Sequence, residues 1–227
     1  HEVPEGHPER PDRLTHILRI LESEGLLDDH PLLIPNPLPI DLIRNAHGPE
    51  HYAYLSRQTP DPIIQLDPDT WFSPHSLRAA RLAAGAVWDG VLDIIEKRCN
   101  RVFCAVRPPG HHAEINSAMG FCLLNSVAIS AINSLDLEQI DRVAILDFDV
   151  HHGNGTVDIC KDRPEILVCS SFQHPWYPNR LYDLNRPNIV NTPLRSGTQG
   201  DEFRKEIERT WFPAIVKHRP NLVFISA

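Results

Sequence analysis

The sequence predicts an α/β layered domain built on a mostly parallel sheet. Short β-branched, apolar runs at residues 101–106, 142–148, 165–170 and 221–226 read as strands buried on both faces. Stretches with helical patterning, 125–134 and 201–217, lie between them. The residues able to do chemistry cluster just after the strand-like runs. Strand alternating with helix implies parallel strands joined by crossovers, and in such sheets the site lies beyond the carboxyl ends of the strands.

The elements follow in chain order. Pro11-Asp12-Arg13 leads into Leu14, Ile17, Leu18 and Leu21, an apolar stripe at helical spacing that stops at Gly25. Residues 31–39, with prolines at 31, 35, 37 and 39, read as an irregular connection. Ser73-Pro74 reads as a cap with proline at the first helical position, opening an alanine-rich helix to about residue 97.

A chain of 227 residues suits one domain, taken as 1–227, and two would be cramped. Hydrophobic residues make up 41% and charged residues 23%, an ordinary globular balance. No apolar run could span a bilayer, and the first residues carry no signal pattern. Because the chain begins at His1 rather than methionine, a preceding piece is expected to be missing. Five cysteines without a Cys-x-x-Cys pair fit neither a disulfide framework nor a thiolate metal site; they favour a reducing compartment, taken as the cytoplasm. A net charge of −8 without a basic block argues against direct nucleic-acid binding and suits a cationic substrate better. The oligomeric state is not legible.

The strongest chemical signal is Asp147-Phe148-Asp149-Val150-His151-His152-Gly153-Asn154-Gly155-Thr156. On an extended chain Asp147, Asp149 and His151 would share one face, and a carboxylate and an imidazole two residues apart can grip one divalent ion. Without cysteine the donor set suits a hydrolytic zinc site or something similar, not a structural finger. Capping aspartates with incidental histidines are the bland alternative, but three such groups at the end of a buried strand would then stay unpaired. The second signal, Arg107-Pro108-Pro109-Gly110-His111-His112-Ala113, makes a stiff turn presenting two adjacent imidazoles. Neutral histidine accepts a proton near pH 7, and Asp147 is the natural partner to orient one ring. Alone, the pair could equally be surface histidines or metal ligands outright. Gly120-Phe121-Cys122 and the stretch from Ser170 to Pro178 bring aromatics, Phe121, Trp176 and Tyr177, that could line a narrow apolar channel or simply pack in the core. Asp67 and Asp69 read as a solvated turn, with a substrate contact at the rim as the alternative.

These words resemble, in order, those of the arginase-like deacetylase fold that includes histone deacetylases, acetylpolyamine amidohydrolases and acetoin-utilisation proteins. The matching residues are Gly6-His7-Pro8-Glu9-Arg10-Pro11, the 107–112 segment, Gly120-Phe121-Cys122 and the 147–156 segment. The resemblance implies a three-layer α/β/α fold and hydrolysis of N-acetyl amides of lysine side chains or related amines, with release of acetate. By the same likeness Asp149 and His151 are two zinc ligands, and His111 and His112 are the histidine pair, supported by Asp147 and Asn154. Gly120, Phe121 and Tyr177 contact substrate. A potassium ion is held by Asp147, the carbonyls of Asp149 and His151, and Ser170 with Ser171. Asparagine at 154 resembles the bacterial and larger eukaryotic members.

The likeness stops at Leu222-Val223-Phe224-Ile225-Ser226-Ala227, where the family continues with a third zinc ligand and a catalytic tyrosine. The chain is therefore expected to be incomplete at both ends and, by itself, inactive. An acetylated lysine peptide, a protein or an acetylated small amine all suit the motifs as substrate. A non-catalytic binding module and an acetylpolyamine amidohydrolase are the alternatives. A two-manganese ureohydrolase ranks last, because Gly153 stands where its further aspartate would be.

Overall fold

Val143, Ala144 and Ile145 are fully buried, and only strands on either side with both faces covered allow that. A computed structural model describes residues 1–30 and 32–227, so the expected irregular connection begins at Pro31, outside the described residues. The elements are α1 (Asp12–Ser23), α2 (Leu26–Asp29), α3 (Ile40–Arg44), α4 (Pro49–Ser56), β1 (Ile64–Asp67), β2 (Thr70–Phe72) and α5 (Ser76–Ile95). They continue with α6 (Ser126–Ser134), β3 (Val143–Asp147), α7 (Asn154–Cys160), β4 (Ile166–Gln173), β5 (Ile189–Leu194), α8 (Gly200–His218) and β6 (Leu222–Ser226).

The main sheet has the order β5-β4-β3-β6, and every pairing in it is parallel. Alternate residues of β3 point to opposite faces. Val143 and Ile145 join the large core with residues of α5, α6 and α7. Ala144 and Leu146 pack on the other side with Trp211, Ile207 and Ile215 of α8. The result is the predicted three-layer α/β/α arrangement. Asp147 stands in register with Ser170 on β4 and Ser226 on β6, so the ends of β3 and β6 lie beside the middle of β4.

Several expectations need correction. Residues 101–106 form no strand: the segment is unpaired, with Phe103 72% exposed, because no described strand runs beside it. The alanine-rich helix starts at Ser76, not at Pro74. No side chain caps it; instead Ser76 Oγ accepts the N–H of Ser73 at 2.7 Å and ties the preceding turn to the helix. The apolar stripe of α1 buries no residue fully and rests on the surface. The β1–β2 hairpin, α3, α4, α7 and β5 escaped the sequence reading, since each is short and carries little periodicity. Asn125 caps α6 as its residue type suggests, its side chain accepting the N–H of Ala128 at 3.0 Å. All five cysteines are free. No described helix is long and apolar enough to cross a membrane.

Beneath the site, buried His47 ties three segments together. Its Nε2 accepts the N–H of Asn125 at 3.0 Å, so Nδ1 carries the proton and donates to the carbonyl of Glu114 at 2.9 Å. A second proton would place two donors face to face. Burial, followed by the neighbouring His51, pushes the His47 pKa down to about 3. The unfolded imidazole protonates near pH 6.5, so between these values the unfolded chain binds more protons and acid favours it. Urea unfolding between pH 7.5 and 4.5 should show stability falling below about pH 6.5, by up to about 1.4 kcal/mol per pH unit for this histidine. His47→Gln should flatten the slope; an unchanged slope would remove His47 as its source.

Candidate active site

Where β3 ends, aspartates turn the chain. Asp147 Oδ1 accepts the N–H of Asp149 at 3.1 Å, and Asp149 Oδ1 accepts the N–H of His151 at 2.7 Å. Each carboxylate thus caps a turn two residues on, as aspartate does readily. Val150 stays beside β4 through the N–H of Gln173, 2.9 Å from its carbonyl. The strand does not run out straight, as the sequence reading supposed. Successive turns place Asp149 and His151 side by side, with His151 Nδ1 3.1 Å from Asp149 Oδ1.

The 107–112 turn supplies two imidazoles to the same place, with ring centres 3.9 Å apart. His111 Nδ1 lies 2.9 Å from Asp147 Oδ2, and His112 Nδ1 lies 2.7 Å from Asn154 Oδ1. The centre of the His112 ring is 5.8 Å from that of His151. One ring therefore faces a charged partner and the other a neutral amide. For His111 burial pulls downward as the largest single influence, yet the charge and hydrogen bond of Asp147, with Asp149 behind them, leave its pKa raised. For His112 burial and then the charge of His111 push the pKa down to about 3. Burial would raise the Asp149 pKa, but the hydrogen bond from His151 and the charge of His111 hold it below the usual carboxylate range.

A cavity of about 990 Å³ opens over this cluster, with His111, His112, Asp149 and His151 in its lining and Gly120, Phe121 and Tyr177 on its walls. Residues of the unpaired 101–106 segment and of β6 also line the cavity. Gly120 has φ +57°, and a Cβ there would lie 2.3 Å from His112 Cδ2, so only glycine lets the backbone come this close. Phe121, also left-handed at φ 67°, is held in place by its N–H donating to Thr70 Oγ1 at 3.0 Å. Asp69 Oδ1 accepts the N–H of Gly120 at 3.1 Å. The 67–69 turn is thus not simply solvated: it braces the cavity wall. Partial burial and the neighbouring Asp69 raise the Asp67 pKa to about 6. Tyr177 sets its ring edge-on to His112 at 5.1 Å, and its hydroxyl is buried without a hydrogen-bond partner among the described residues. Burial and the nearby aspartates push its pKa up. Trp176 covers His151, with ring centres 4.7 Å apart.

Two donors each about 2.0 Å from one tetrahedral zinc stand roughly 3.3 Å apart. The 3.1 Å between Asp149 Oδ1 and His151 Nδ1 therefore fits two corners of such a site. Catalytic zinc commonly has three protein ligands, and no group of three or more His, Cys, Asp or Glu placed to hold a metal ion occurs among the described residues. For potassium, Ser170 is in register with Asp147, and its Oγ accepts the N–H of Gly153 at 3.2 Å. Ser171, next on the strand, faces the other way, and its buried hydroxyl has no partner among the described residues. Ser170 can thus offer a side chain beside Asp147, and Ser171 only its backbone.

Sequence reasoning passed over Glu114, two residues after the histidine pair, whose carboxylate reaches Asn154. It also passed over the pairing of Glu9 with Arg107, at 2.7 and 2.8 Å, which clamps the amino-terminal loop to the histidine turn. Both glutamates lie inside or beside the motifs, but their partners are distant in sequence.

Fold and site together define a layered α/β domain with a buried histidine pair facing a carboxylate–imidazole pair. The model of the histone deacetylase domain matches residues 7–227, and the chain belongs to the histone deacetylase family. It is 40% identical over 233 residues to an uncharacterized protein of Synechocystis, covering all of this chain and 76% of that protein. It is 32% identical over 235 residues to a "Probable deacetylase" of Archaeoglobus fulgidus, covering all of this chain and 65% of the relative. The crystal structure of the HDA15 HD domain superposes with a TM-score of 0.92 at 34% identity, over all of this chain and 67% of that one.

Gly120→Ala should lower stability by at least about 1 kcal/mol, from the left-handed backbone alone, and more where the new methyl meets His112. Thermal unfolding would measure this; an unchanged midpoint would show that the turn relaxes freely.

Proposed function

We propose that this histone deacetylase-family hydrolase removes acetyl groups from the amine of an acetylated lysine, or of a related small amine, in a zinc-dependent reaction. The observation that carries the reading is the pair of unlike imidazoles, one on a carboxylate and one on an amide, beside donors spaced for a single cation. Asp149 and His151 would hold the zinc, and when bound the ion would supply Lewis acidity that polarises the acetyl carbonyl and acidifies water. Asp147, Ser170 and the carbonyls of Asp149, His151 and Ser171 would hold a structural potassium ion.

The two histidines divide the proton work. His112 is neutral, and its Nδ1 is engaged by Asn154, so the Nε2 lone pair is free to take a proton from the attacking water. His111, with Nδ1 2.9 Å from Asp147 and its pKa raised by that carboxylate, is placed to pass a proton to the leaving amine. Gly120 and Phe121, fixed by Asp69 and Thr70, together with Tyr177 would grip the acyl group and exclude water.

The test uses the full-length protein loaded with zinc, assayed for acetate release from acetyl-lysine peptides and from acetylspermidine. His112→Ala should lower kcat by about 100-fold or more with zinc content unchanged. Asp149→Ala should lose the metal, read by elemental analysis, and the activity with it. Zinc and activity both retained in Asp149→Ala would refute the ligand assignment. Metal-loaded protein inert towards every acetylated amine would refute the reaction.

A further inference from the structure

Asn154 is the first residue of α7 and fully buried, and its amide has two ends that must be told apart. One end lies 2.7 Å from His112 Nδ1. The other lies 2.7 Å from Glu114 Oε1, with Met119 Sδ at 3.4 Å and the carbonyl of His112 at 3.5 Å as weaker neighbours. A carboxylate can only accept, so it demands the NH₂ group. The reverse orientation would set the amide oxygen against the carboxylate. Glu114 thereby turns the Asn154 oxygen towards His112. An oxygen there accepts from Nδ1–H, which leaves Nε2 without a proton and facing the cavity.

Glu114 is itself held rigidly. Its carbonyl accepts from His47 at 2.9 Å, and its N–H donates to the carbonyl of Ser117 at 2.9 Å. The carboxylate is nearly buried, with its side chain 7% exposed, and is met from the solvent side by Arg180 Nε at 3.0 Å from the same oxygen that Asn154 uses. The cation and the amide donor thus converge on one oxygen of this buried carboxylate.

We infer that Glu114 is a positioning residue for the reaction: its carboxylate fixes the direction of the Asn154 amide and, through it, the tautomer of His112. The inference rests on the reading of His112 as the proton acceptor. A carboxylate at position 154 would orient the ring by its own charge. With asparagine in that place, the charge is moved one hydrogen bond outward, to Glu114.

The test begins with ¹⁵N chemical shifts of the His112 ring in the metal-free protein, which report which nitrogen bears the proton whether or not the enzyme turns over. In the parent protein the proton should sit on Nδ1. In Glu114→Gln, which can donate or accept, the two amide orientations become close in energy and the ring should show mixed tautomers. Arg180→Gln removes the cation but keeps the carboxylate and should leave the tautomer on Nδ1. In the zinc-loaded full-length enzyme, Glu114→Gln should lower kcat by roughly 10- to 100-fold with little change in KM, the range for outer partners that orient a histidine.

The sign should reverse in an Asn154→Asp background. There two carboxylates would face each other and compete for one proton. Adding Glu114→Gln supplies a donor to the introduced carboxylate and should raise kcat about tenfold. An unchanged His112 tautomer in Glu114→Gln, or the same shift in Arg180→Gln, would overturn the inference. Should Glu114→Gln not fold, Asn154→Asp and the double variant decide it, and a double variant slower than Asn154→Asp would overturn it. A shifted tautomer in an enzyme inert towards all acetylated amines would leave the positioning role standing and sink the deacetylase reading instead.

Discussion

The carboxylate of Asp147 is almost wholly buried, 1% exposed, at the point where the central strand stops. A charge in that position must be fully engaged. One of its oxygens accepts the N–H of Asp149 and starts the turn that brings Asp149 to His151. The other meets His111 Nδ1 at 2.9 Å. The same residue is fixed in the sheet by Ser170 on one side and Ser226 on the other. Backbone pairing therefore sets where the carboxylate stands, and the carboxylate sets where the turn and one imidazole stand. The packing is close enough that a Cβ on Gly153 would come within 2.4 Å of Asp147 Oδ2. Gly153 leaves room for that charge, and Gly155 for the backbone that follows the histidine pair.

The second organising feature is the unlikeness of two adjacent histidines. Their rings are 3.9 Å apart, and both would suffer if both were charged. The carboxylate beside His111 raises that ring's affinity for protons, while burial and the neighbouring His111 lower that of His112. The two rings thus differ in proton affinity although they lie side by side. The negative charge that an amide lacks is present nearby on Glu114, where it can orient Asn154 without making the His112 ring cationic.

The cavity wall depends on elements that look unrelated along the chain. The β1–β2 hairpin lends Asp69 and Thr70 to two consecutive left-handed residues, Gly120 and Phe121, and so holds the wall against His112. Backbone in this conformation persists only when its surroundings fix it, and here the two N–H groups are each met by a side chain. Such strain is common where a substrate must pass close to the main chain. Trp176 and Tyr177, from the loop after β4, close the opposite side over His151.

The layered α/β class, the strands that became β3, β4 and β6, and the two motifs that became the centre of the site were all legible in the sequence, because buried parallel strands and runs of Asp, His and Gly leave local signatures. The hairpin and the short helices were not, since their stability comes from contacts with distant segments. The expected strand at 101–106 shows the opposite failure: its β-branched pattern is real, but a strand also needs a neighbour, and pattern does not supply one. By itself, then, the sequence determined which residues could hold a cation and move protons. Only the tertiary structure decided that Asp69 would brace Gly120 and that Glu114 would reach Asn154, and it gave distances to the His111–Asp147 and His112–Asn154 pairs that the family resemblance had implied. Those pairings join residues 36 to 51 positions apart, which the local spacing of a single chain does not encode.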